Sequence, residues 1–109
     1  MIIPKAIFLR NTYIKAKENF ENESKMQTTL MVGVLTRILR NPQIHKLGAF
    51  SYFFPADTFS LLLDEAFDEY LIKIQKDFEG AGYLVILEKE PEGVLIHLDW
   101  RGNPSEYSS

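Results

Sequence analysis

The chain has 109 residues, 46% of them hydrophobic, with no cysteine and a formal net charge of −3. That is enough apolar material for one small domain, and the missing thiols exclude both a disulfide framework and a thiolate metal site. The charge is unevenly spread: residues 1–46 carry eight Lys/Arg against three Glu, a net +5, while residues 47–109 carry four against twelve acidic side chains, a net −8.

The first element is a long amphipathic helix over residues 4–41. Pro4 suits a first turn, where its missing N–H has no partner to lose, and no further proline occurs until Pro42. At 100° per residue Leu9, Tyr13, Ala16, Phe20, Met31, Val34 and Ile38 form one stripe, which turns polar at Ser24 and Gln27 without losing phase. Kept phase favours one continuous helix over a hairpin that bends near Asn22. Such a helix is about 50 Å long, whereas a compact domain of about a hundred residues has a radius of gyration near 13 Å. The helix therefore protrudes, and its stripe calls for cover from another copy, so a homo-oligomer through the N-terminal helix is expected.

Asn41-Pro42 stops the helix, and Gln43 to Gly48 is read as a connection. Ala49 to Phe54 alternates as a short strand, with Phe50, Tyr52 and Phe54 on one face. Asp57 is a candidate N-cap for a second helix from Thr58 to about Glu79, whose apolar residues recur at three- and four-residue steps until Gly80-Ala81-Gly82. Tyr83 to Glu88 and Val94 to Trp100 read as strands joined by the loop Lys89 to Gly93.

The fold class is thus α+β, in the order α-β-α-β-β, with a three-stranded antiparallel sheet packed on helices. Residues 1–100 form a single domain with helix 4–41 protruding, and residues 101–109 form a flexible polar tail. No apolar run approaches the roughly 20 residues that span a bilayer, and the N-terminus lacks a signal-peptide arrangement, so no membrane partner and a cytoplasmic setting are expected.

Candidate chemistry is sparse. Asp64, Glu65, Asp68 and Glu69 lie on the second helix, where carboxylates at i and i+4 share a face and could hold a divalent cation, but the only acidic segment available to stand opposite, Glu18, Glu21 and Glu23, is set among lysines. His97 and Asp99 project to one side of a strand and could form a catalytic or metal pair. No nucleophile elbow, glycine-rich phosphate loop or Walker pattern is present. No cofactor is implied. The cations of the long helix do not form one stripe, and the acidic remainder repels a polyanion, so extended nucleic acid is disfavoured. A small anionic ligand shared between subunits fits better: Arg10, Lys17, Arg37 and Arg40 would supply anion contacts, and Tyr13 or Tyr52 would stack.

The runs Ala16-Lys17-Glu18-Asn19, Gly48-Ala49-Phe50-Ser51, Gly82-Tyr83-Leu84-Val85 and Gly93 to Trp100 together resemble small accessory proteins of tailed bacteriophages. Those have a long N-terminal helix, a short strand after a glycine, a second helix, a Gly-Tyr-x-Val strand and a closing strand that ends in Trp. The aromatic run Phe50 to Phe54 and Asp99 before the tryptophan depart from that pattern. The resemblance implies a phage origin and non-enzymatic binding, and it transfers no site residues. The expected function is a homo-oligomeric binder that counteracts a host defence, by binding a host protein or by sequestering a signalling nucleotide in the bacterial host cytoplasm. Two alternatives stand beside it: an assembly protein that uses the long helix and aromatic strand for self or virion contacts, and a metal-dependent enzyme through Asp64 and Asp68.

Overall fold

The computed structural model describes residues 2–102. Its elements are α1 (Ala6–Leu39), α2 (Pro42–His45), β1 (Ala49–Pro55), a 3₁₀ turn (Glu65–Phe67), α3 (Asp68–Gly80), β2 (Leu84–Glu90) and β3 (Gly93–Asp99). The three strands form one antiparallel sheet in the order β1-β3-β2, so the last strand lies in the middle. The α+β class and the α-β-α-β-β order of main elements are as the sequence indicates.

Helix α1 runs unbroken through Asn22. It starts at Ala6 rather than at Pro4, with Lys5 at the N-cap making no side-chain cap and no acidic residue in the first turn. Such an end lacks both usual sources of N-terminal stabilisation. At the other end Asn41 caps a short second helix, accepting from Gln43 N–H at 3.0 Å with Pro42 in its first turn. The expected plain connection is therefore a helical turn.

One apolar cluster forms the core. Met31 and Leu35 of α1, Leu71, Ile74 and Phe78 of α3, and Val85, Val94, Ile96, Leu98 and Phe54 of the sheet meet in it. The period-two alternation of β3 puts Val94, Ile96 and Leu98 on the core face, and all three are fully buried. Helix α3 ends in a Schellman motif: Tyr83 N–H donates to Phe78 C=O at 3.1 Å and Gly82 N–H to Glu79 C=O at 3.0 Å. Gly82 takes φ +102, and the rings of Phe78 and Tyr83 close the motif edge to face at 5.7 Å.

The second helix is shorter than its apolar periodicity predicts, because residues 57–64 turn instead of winding from an Asp57 N-cap. In a helix Leu61 N–H would bond the carbonyl of Asp57. Here it donates to Oε1 of the buried Gln27 at 3.2 Å, and Gln27 Nε2 donates to Ser60 Oγ at 3.2 Å. Asp64 is extended (φ −79, ψ 127) and accepts from Ala66 N–H at 2.9 Å, which restarts the chain as the 3₁₀ turn before α3. Phe59 and Leu62 still reach the core without a helix, while Leu63, assigned to the same apolar face, is exposed.

The hairpin loop is also tighter than predicted. Lys89, Glu90 and Gly93 belong to the strands, leaving Pro91 and Glu92 as a two-residue turn. Lys89 instead forms an ion pair with Asp68 at the start of α3. Of the proposed polar tail, Arg101 lies against Gly48 and pairs with Asp99; residues 103–109 lie outside the described residues.

Candidate functional site

Among the described residues two broad surfaces are uncovered. Every residue from Ala6 to Asn19 is exposed, so the N-terminal part of α1 projects as an arm. The radius of gyration, 18.7 Å, and the extents of 72 × 30 × 23 Å record that projection. Phe8, Leu9 and Tyr13 are 65%, 62% and 65% exposed. The second surface is the sheet face turned away from the helices, with Leu84 59% and Ile86 45% exposed. Phe53 and Leu95 on that face are half-buried, and the Phe53 ring lies over Gly93, where a Cβ would meet it at 2.9 Å.

Three of the six candidate binding residues share one face of the arm, since helical spacing places Arg10, Tyr13 and Lys17 within about 60° of each other. Arg37 and Arg40 lie at the opposite end of α1. Thirty residues of rise separate Arg10 from Arg40 by about 45 Å, so one copy cannot bring the two sets together. Tyr52 belongs to neither set: it sits on the core face of β1 with its ring 4.8 Å from that of Phe54. Arg40, Thr36, Leu39, Asp77, Phe78 and Tyr83 line a shallow open cleft of about 380 Å³ between the ends of α1 and α3.

The acidic residues 64–69 do not form the helical pair their spacing suggests. Asp64 precedes the 3₁₀ turn and caps it, and Asp68 is held by Lys89. Among the described residues no group of three His/Cys/Asp/Glu side chains is placed to hold a metal ion. His97 and Asp99 do share the open sheet face, but they do not meet. Asp99 is gripped by Arg101, whose Nη2 lies 2.6 Å from Oδ2 and whose N–H donates at 2.9 Å to Oδ1. The Arg101 side-chain hydrogen bond, aided by the backbone one, lowers the Asp99 pKa from its ordinary 3.8 to about 2.

His97 Nδ1 instead lies 2.7 Å from Ser51 Oγ across the β1–β3 pair. Strand alternation predicts which face each residue takes, but only the pairing register reveals this contact. Among the described residues no third group orients this imidazole, since the nearby Asp99 carboxylate is committed to Arg101.

The chain matches no known protein family, no curated protein and no solved structure. Its function is therefore read from its own surfaces. Among the described residues, no helix is long and apolar enough to cross a membrane.

Proposed function

We propose that this protein is a non-enzymatic, homo-oligomeric binding protein of the phage accessory type, acting in the bacterial host cytoplasm, and that the α1 arm is its association surface. The observation that carries the reading is the arm itself: a helix projecting from its domain with Phe8, Leu9 and Tyr13 exposed. Contiguous apolar surface of this kind marks an interaction site. Its ligand is a host defence protein or a small anionic signalling nucleotide. Arg10 and Lys17 on the arm and Arg37 and Arg40 at the far end supply cations for the nucleotide, and several copies are needed to bring the two ends together.

Native mass spectrometry of the purified protein, alone and with a panel of linear and cyclic nucleotides, tests both parts. A discrete oligomer that becomes monomeric in Leu9→Glu/Tyr13→Glu is expected. A nucleotide adduct lost in Arg37→Ala/Arg40→Ala or in Arg10→Ala/Lys17→Ala assigns the ligand class and the end that holds it. A wild-type monomer overturns the reading. A bare oligomer transfers it to the assembly role, which rests on the same exposed arm.

A further inference from the structure

We propose that a second copy of this chain seats its α1 arm along the open face of the sheet, in a reciprocal two-fold exchange that leaves each arm on its partner's sheet. The inference rests on the arm being the association surface, and it names the surface that receives it.

The arm cannot reach its own sheet face. Helix α1 is continuous from Ala6 to Leu39, and its second part is buried at Met31 and Leu35, so the first part is carried outward as a rigid extension. The dimensions of the two uncovered surfaces agree. Residues 6–19 rise about 21 Å, and seven-residue strands are about 23 Å long, with three strands spanning about the width of one helix. Each exposes a pair of apolar side chains two to four residues apart: Leu9 and Tyr13 on the arm, Leu84 and Ile86 on the edge strand β2.

Charge selects between this arrangement and arms packed on each other. From Ala6 to Asn19 the arm carries Arg10, Lys15 and Lys17 against one acidic residue, Glu18, so two arms together would oppose a net positive charge on each. On the sheet, alternation along β2 puts Glu88 and Glu90 on the same face as Leu84 and Ile86. Arg10 and Lys17 lie along one side of the Leu9–Tyr13 line, as Glu88 and Glu90 follow Leu84 and Ile86 along β2. A stable interface buries about 1,600 Å² in total, and reciprocal exchange makes each contact twice, so one arm-to-sheet contact has to supply about half of it. The two-fold closure also leaves neither surface free to propagate a chain of copies. This arrangement takes Arg10 and Lys17 into the dimer contact and so narrows the anion contacts of the proposed function to Arg37 and Arg40.

The absence of cysteine makes the pairing directly readable. Tyr13→Cys and Ile86→Cys are prepared separately, mixed under mild oxidation and resolved on a non-reducing gel, after light scattering has established the mass of the wild type. A mixed arm-to-sheet disulfide dimer is expected. Charge reversal gives a second readout: Glu88→Lys/Glu90→Lys abolishes the dimer, and mixing it with Arg10→Glu/Lys17→Glu restores one. A dimer in which Tyr13→Cys links only to itself, or in which the mixed charge reversals stay monomeric, overturns the sheet as receiver but leaves self-association through the arm intact. A wild-type monomer overturns both.

Discussion

The two parts of α1 are one helix with one hydrophobic phase and opposite environments. From Ser24 onward the stripe is buried at Ser24, Gln27 and Met31, with Leu35 beside it buried in place of Val34 and Ile38, which are half-buried. Before Phe20 the same stripe holds Leu9, Tyr13 and Ala16, and none of it is covered. The covered part is also the one with polar residues in the stripe, since Gln27 uses its buried amide to pin residues 60 and 61. Amphipathic periodicity thus tells which side of a helix seeks cover. It does not tell how far along the helix the chain itself supplies any.

The largest effect expected from this contrast is at Leu35. Truncation in the covered part, Leu35→Ala, removes a fully buried side chain and costs about 2–5 kcal/mol, read as a lowered midpoint in urea denaturation. Next is Gln27→Ala, which orphans Leu61 N–H and costs about 1–3 kcal/mol, with amide exchange across residues 57–64 rising more than elsewhere. Ser24→Ala at the neighbouring buried position is neutral or stabilising, because among the described residues Ser24 Oγ has no hydrogen-bond partner.

On the arm, Leu9→Ala changes the stability of the dilute monomer by no more than about 0.5 kcal/mol while weakening the oligomer, as sedimentation at several concentrations would report. A loss at Leu9 comparable to that at Leu35 would erase the distinction between the two parts. The smallest effect is at the sheet end. Asp99 is depressed to about 2 by Arg101, so its ion pair favours the folded state at neutral pH. That contribution disappears as the pH falls from its ordinary range near 3.8 through about 2. An NMR titration of the Asp99 carboxyl carbon should give a midpoint near 2, returning toward the ordinary value in Arg101→Gln.

Local pattern was informative wherever one rule decided the outcome. Absence of proline and kept phase were enough for a continuous α1, alternation for the faces of β3, and Gly80-Ala81-Gly82 for the end of α3. The second helix is shorter than the pattern indicates because Phe59, Leu62 and Leu63 keep a helical spacing inside a turn-rich segment. What ended the pattern was a side chain 34 positions away, Gln27, competing for Leu61 N–H. The candidate sites had the same weakness: Asp64 and Asp68 look paired at a four-residue spacing, yet each is engaged by a different neighbour, and Tyr52 faces the core.

By itself the sequence determined the continuous α1, the three strands and their faces, the end of α3 and the split of charge between residues 1–46 and 47–109, because these depend on covalent order and backbone period. Only the tertiary structure decided that β3 lies between β1 and β2, that His97 meets Ser51, and that α1 is covered from Ser24 onward but bare before it. Those outcomes depend on which distant segments compete for the same surface and the same hydrogen bonds, a competition that no local spacing encodes.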